Sequence, residues 1–238
     1  MRFLKSLVSL IFPNLCIVCG RELCHGEHRI CVECRWDLPM TGYALQEQNY
    51  VTELFAARLE FDHACALLFF ESGDLRRLIH RLKYRSRADI ARLMGEIFGY
   101  YLRQSPYYRD IDLLVPVPLH WFKRLIRGYN QAEEICRGMS RAMGIECDFS
   151  LVKRKRFTEQ QARKETEERW DNVRGAFRYR GGDLSGRKLL LIDDVLTTGS
   201  TIEACGTELL KSGCRLNIAT LAVAVRHRDG NTNSTLKS

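Results

Sequence analysis

The stretch RKLLLIDDVLTTGSTIEACGTELLKSG, residues 187–213, restricts the fold more than any other part of the chain. Residues 189–192 are all apolar, whereas a strand with one wet face would alternate. The run therefore reads as a strand buried on both faces. Asp193 and Asp194 end it, small hydroxylated residues and Gly199 follow, and a helical pattern runs on to Gly213. Strand, short turn and helix together make half of a βαβ unit. Such units belong to a parallel sheet with helices packed on its faces.

The same alternation extends over most of the sequence. ACALLFF at 64–70 is an apolar strand candidate. Gly73 and Asp74 then open a helix with Leu75, Leu78, Ile79 and Leu82 along one face. A second helix is expected over 88–103, its buried face formed by Ile90, Leu93, Met94, Ile97 and Tyr101. IDLLVPVP at 111–118 reads as a strand ending in prolines, and 129–144 as a helix stopped by Gly144. Strands are expected over 147–157, 175–180 and 216–225, while 158–174 is too polar for a core. The organisation expected is an N-terminal unit over 1–58, an α/β domain over 59–226 with a mostly parallel sheet, and a disordered tail over 227–238.

Ligands of open α/β sheets bind beyond the carboxyl ends of the strands, where Asp193 and Asp194 lie. Thr197, Thr198, Gly199, Ser200 and Thr201 lead into the following helix, so backbone N–H groups and hydroxyls gather at a helix N-terminus. That arrangement suits a phosphate. Carboxylates repel a phosphate, so the two acids must face another part of the same ligand. A vicinal diol donates two hydrogen bonds that carboxylates accept. A sugar phosphate satisfies both halves.

Four of the ten cysteines form two C-x-x-C pairs, Cys16/Cys19 and Cys31/Cys34. Each pair turns tightly and presents two thiolates to one ion. Four thiolates make a closed tetrahedral zinc site of the structural kind. Cys24 and His25 lie between the pairs and are alternative ligands. The remaining cysteines are scattered in apolar or helical surroundings, which fits a reducing cytoplasm rather than a disulfide framework. MRFLKSLVSLIFPNLC at the N-terminus has the charge and apolar core of a signal peptide, without a small-residue cleavage site. Leu4, Leu7, Val8 and Ile11 recur at helical spacing, so a short amphipathic helix packed on the body is expected, with no membrane span.

The formal net charge of +8 is unevenly distributed. Residues 76–92 carry seven Arg or Lys against one Asp, and 153–156 is KRKR. Clustered cations point to a phosphate-rich partner, either a small molecule or a nucleic acid.

LLLIDDVLTTGST resembles the PRPP (5-phosphoribosyl diphosphate) signature of type I phosphoribosyltransferases across its full length. The four-cysteine ribbon, LKYR at 82–85, VPVP, RGYNQ at 127–131, GAF and this signature together resemble the ComF family of competence proteins, over residues 4–225. The resemblance implies a type I phosphoribosyltransferase fold behind a zinc ribbon. It implies that 197–201 hold the 5-phosphate, that Asp193 and Asp194 hold the ribose hydroxyls, and that magnesium arrives with PRPP. It further implies that Lys123, Arg124 and Arg127 lie on a pyrophosphate loop and that 157–174 is a mobile lid. The alternative for those three cations is a solvated helix start. Family members are associated with natural transformation, handling incoming single-stranded DNA with a helicase partner. On that basis Arg77, Arg81, Lys83 and Arg85 are candidates to track DNA phosphates, and Tyr84 to stack on a base. Two functions stay open: a phosphoribosyltransferase, or a DNA-binding adaptor that keeps the fold without its catalysis. No segment identifies an acceptor pocket.

Overall fold

The computed structural model describes residues 14–70, 88–155 and 175–225. Its centre is a four-stranded sheet of β1 (Ala64–Phe69), β2 (Leu113–Pro116), β5 (Lys188–Leu196) and β6 (Arg215–Val223). The strand order is β1-β6-β5-β2 and every neighbouring pair is parallel. Helix α6 (Ser200–Leu210) is the crossover from β5 to β6. The α/β class expected from residues 187–213 is the class observed.

Side chains of β5 alternate between two cores. Leu190 and Ile192 pack with α3 (Ala88–Gln104) and α5 (Gln131–Met143) on one face. Leu189 and Leu191 pack with α2 (Tyr50–Phe55) and α6 on the other. Both faces of the strand are dry, which is why its sequence is apolar without a break. The N-terminal cysteine segment shares the first core, where Cys16, Ile17, Ile30 and Cys31 are buried with Ile90 and Ala91. A short helix, α1 (Val32–Trp36), begins directly after Cys31.

Two expected details differ. On α3 the buried face is Ile90, Ala91, Met94, Gly95, Phe98, Gly99 and Leu102, while Leu93 and Ile97 are only partly buried and Tyr101 is 44% exposed. The stripe is rotated because small residues, not large ones, mark the contact with α5. A Cβ on Gly95 would overlap the Ile135 carbonyl, and one on Gly138 the Arg92 carbonyl. The helices therefore meet backbone to backbone at these glycines.

The second detail is the strand expected over 147–157, which shrinks to β3 (Val152–Arg154). Upstream, the Asp148 carboxylate accepts the N–H groups of Ser150 (2.7 Å) and Leu151 (3.2 Å) and closes a turn. A side-chain acceptor of this kind competes with the ladder for backbone donors. β3 then pairs antiparallel with β4 (Phe177–Tyr179) in a separate two-stranded sheet. The expected N-terminal helix, the cationic helix from Asp74, the segment 158–174 and the tail from 227 lie outside the described residues.

Candidate functional site

The end of β5 extends past its shorter neighbour. β2 stops at Pro116, opposite Ile192, so β5 runs past it from Asp193 onward. Strand geometry continues through both acids to Leu196, four residues beyond the apolar run 189–192. Asp193 accepts the N–H of Asp194 (2.8 Å) and Asp194 that of Val195 (2.7 Å). Thr197 and Thr198 make the turn, and Gly199 adopts the left-handed conformation (φ 80°, ψ −6°) as N-cap of α6. The Thr198 and Ser200 hydroxyls are 2.9 Å apart, and Thr201 lies in the first turn of the helix. Acids, turn and helix N-terminus thus follow one another within nine residues at the open end of a central strand.

Arg58 fastens this turn from outside. Its Nη1 donates to the Thr198 carbonyl (2.6 Å), and its Nε and Nη2 donate to Glu203 Oε2 on α6 (2.9 and 2.5 Å). The guanidinium also lies over the Phe55 ring, 5.8 Å from its centre. A Cβ on Gly199 would come within 2.8 Å of Phe55 Cε1 and 3.3 Å of Arg58 Nη1. Glycine is thus needed twice over, for its dihedral angle and for the room it leaves. No motif marks Arg58 in the sequence, where it is one arginine at the end of a linker. Arg58→Gln should remove a charged fork worth about 1–2 kcal/mol and lower the unfolding midpoint by about 3–6 °C. Thermal melts check the value, and an unchanged midpoint would show that the turn holds itself.

A second cation, Arg154 on β3, acts on Asp193. Burial, and then the charge of Asp194, push the Asp193 carboxyl well above the ordinary carboxylate range, while Arg154 pulls it down. Burial lowers the Arg154 guanidinium against the pull of Asp193. Its Nε is buried without a hydrogen-bond partner among the described residues, and its guanidinium sits 5.3 Å from the Phe177 ring centre. His120 is pushed down by burial, then by the charges of Arg154 and Lys123. The end of β5, the strand β3 and the segment after β2 therefore share one electrostatic environment. The KRKR cluster is visible in sequence, but not which of its cations turns inward.

The expected pyrophosphate cations sit on a helix, α4 (Trp121–Arg127), rather than in an open loop. His120 Nδ1 caps it by accepting the Phe122 N–H (3.3 Å), and Gly128 closes it in the left-handed conformation. Arg124 pairs with Glu133 (3.3 Å) and Arg127 donates to Gln131 (2.9 Å), both on α5. Trp121, Phe122, Leu125 and Ile126 are exposed on the same helix. Arg77, Arg81, Lys83, Tyr84 and Arg85 lie outside the described residues.

The cysteines of the two C-x-x-C pairs come together. Sγ atoms of Cys16, Cys19, Cys31 and Cys34 all lie within 4.8 Å of one another. The Cys31 N–H points to Cys16 Sγ and the Cys34 N–H to Cys31 Sγ, each at 3.4 Å. Such N–H···S bonds support thiolate ligands from outside the coordination shell. Burial acts upward on the Cys16 thiol, but the N–H groups of Cys31, Cys19 and Val18 outweigh it and bring it down to about 6. Burial and the neighbouring cysteines push Cys34 up. Four thiolates at this spacing repel unless a cation sits among them. Cys24 and His25 are exposed and the cluster is complete without them.

Residues 125–235 match the phosphoribosyl transferase domain family. Among curated proteins, the chain is 30% identical over 225 residues to the DNA utilization protein YhgH of Escherichia coli K12, covering 86% of this chain and 94% of that protein. It is 27% identical over 213 residues to competence protein F of Haemophilus influenzae (85% and 93% covered). With competence protein ComFC of Bacillus subtilis the identity is 24% over 221 residues (92% and 81% covered). No helix among the described residues is long and apolar enough to cross a membrane. Likeness of this extent places the chain in the ComF/YhgH family of phosphoribosyltransferase-domain proteins.

Proposed function

We propose that the protein binds PRPP at the β5–α6 turn and acts in the handling of single-stranded DNA. One observation carries the first part: paired acids at the open end of β5 run directly into the Gly199 turn and the start of α6. N–H groups and hydroxyls at 197–201 suit the 5-phosphate, and Asp193 and Asp194 suit the ribose hydroxyls. Magnesium would arrive on the diphosphate and neutralise it. Lys123 and Arg154 both act on His120, and Arg154 also on Asp193, which supports a place for the diphosphate near the acids. In a transfer reaction these cations would stabilise the leaving diphosphate. The cysteine cluster would hold one zinc ion, whose role is to fold the ribbon. Its thiolates need a reducing compartment, so we place the protein in the cytoplasm.

Calorimetry with PRPP and magnesium tests the site. Each charge-assisted hydrogen bond is worth about 1.5–3 kcal/mol, so the double variant Asp193→Asn, Asp194→Asn should bind roughly tenfold more weakly or worse. Wild-type protein that shows no heat with PRPP would end the proposal. Equal binding by the double variant would remove the aspartates from it.

The DNA part rests on the clustered charge and on relatives named for DNA utilization and competence. Single-strand affinity should fall steeply with salt, and replacing Arg77, Arg81 and Lys83 together should flatten that slope by about three phosphate contacts. An unchanged slope would take these cations off the DNA surface. Robust DNA binding without PRPP binding would favour the adaptor reading, with a helicase as its partner.

A further inference from the structure

We propose that Cys136 and Cys147 are a redox pair that closes to a disulfide and staples α5 to the edge of the sheet. Cys136 is fully buried on the inner face of α5. Cys147 is partly exposed in the segment that leaves α5 and runs beside β2. Their sulfurs lie 2.7 Å apart. A disulfide needs about 2.05 Å, so the gap to close is about 0.7 Å.

Both backbones are already fixed for this step. Cys136 sits in the middle of a thirteen-residue helix. Cys147 is held by a parallel bridge to Leu114, with Leu114 N–H donating to the Glu146 carbonyl and Asp148 N–H to the Leu114 carbonyl, each at 2.9 Å. Closure therefore asks the two sulfurs to approach by about 0.7 Å from backbones that are already held. The two thiols also differ in the way such a pair requires. A hydrogen bond from Cys136 lowers the Cys147 thiol against its burial, with Ser140 and the Arg137 charge assisting. Burial holds Cys136 up. Cys147 is thus the thiolate that meets an oxidant, and Cys136 the sheltered thiol that resolves it.

With a hydroperoxide as oxidant, the Cys147 thiolate attacks one oxygen and the O–O bond breaks. Cys147 becomes a sulfenic acid and the second oxygen leaves as water or alcohol. The Cys136 sulfur then attacks the sulfenic sulfur and forms the S–S bond. Hydroxide departs and takes the Cys136 proton to become water. The dithiol loses two electrons and the peroxide gains them. A thiol reductant reverses the change by exchange.

The staple lies on the helix that supports the segment after β2. α5 starts at Asn130, whose side chain donates to the Val117 carbonyl at the end of β2 (3.0 Å). Glu133, one turn before Cys136, pairs with Arg124 of α4. Oxidation would fix this supporting helix to the strand edge. It should raise the unfolding midpoint by about 5–10 °C.

Peptide mapping decides the matter. Metal-loaded protein is treated with stoichiometric hydrogen peroxide, blocked with N-ethylmaleimide and digested with trypsin without reductant. Cys136 falls in the peptide 128–137 and Cys147 in 142–153, each with a single cysteine. The expected product is these two peptides joined, separated again by dithiothreitol. Cys147→Ser should abolish the joined species. In Cys136→Ser, a dimedone adduct should collect on Cys147. The rise in midpoint on oxidation should occur in the wild type and in neither variant. Recovery of both peptides as separate maleimide adducts after peroxide, or Cys147 joined only to a ribbon cysteine, would overturn the proposal. The wild-type map suffices even if a variant fails to fold.

Discussion

Gly138→Ala is expected to lower the midpoint of thermal unfolding by about 10 °C or more, corresponding to a loss of about 3 kcal/mol or more. In an isolated helix the same change would stabilise by about 1 kcal/mol. The sign reverses because of where the methyl would go. A Cβ on Gly138 overlaps the Arg92 carbonyl and reaches 2.7 Å from the Glu96 amide nitrogen. These are backbone atoms inside α3 and cannot rotate aside. The helices would have to part, opening the packing of Phe98, Ile135 and Met139. Gly144→Ala is the control. Gly144 has φ 73° at the end of α5, with nothing within 4 Å of a Cβ. Its cost is conformational alone, about 1–2 kcal/mol. Melts of the two variants should therefore rank Gly138→Ala as the more damaging. A Gly138→Ala protein as stable as the wild type would refute the close crossing of α3 and α5.

These glycines also show why one part of the fold is legible in the sequence and another is not. β5 can be read directly because both of its faces are dry, so Leu189 to Ile192 carry the signal without a break. The C-x-x-C pairs are equally plain, since their spacing brings the four sulfurs within 4.8 Å of one another. The face of α3 is misread because apolar periodicity scores large side chains, whereas Gly95, Gly99 and Gly138 set the contact by having none. That pulls the buried stripe away from Tyr101 and toward Phe98 and Leu102. The 147–157 segment misleads for another reason. Its residues favour a strand, but one acceptor, Asp148, takes the backbone donors first. Arg58 is illegible in principle, because its partners Thr198 and Glu203 stand 140 and 145 residues away. Arg154 is an intermediate case. Its cluster is visible, while its inward orientation depends on the pairing of β3 with β4.

Removing one thiolate from the ribbon should have the second large effect. Protein purified under reducing conditions should carry close to one zinc ion per chain, and Cys34→Ser should carry almost none. The damage should spread beyond the ribbon, because this segment has no core of its own. Ile17, Ile30 and Leu38 are buried against the α3 side of the sheet, in the same cluster as Ile90 and Ala91. Each such side chain contributes about 2 kcal/mol through burial. Together they amount to about 6 kcal/mol, a large fraction of the stability of a typical domain. Without the ion, the remaining thiolates repel and the turns at 16–19 and 31–34 lose what closes them. Amides over 14–40 should then exchange freely, while β5 and β6, whose cores lie between the other elements, stay protected for longer. Cys24→Ser supplies the contrast. Cys24 is exposed and stands outside the cluster, so that variant should keep both its metal and its midpoint. Elemental analysis with hydrogen exchange reads both results. Full metal in Cys34→Ser, or metal lost in Cys24→Ser, would mean that a different ligand set holds the ion.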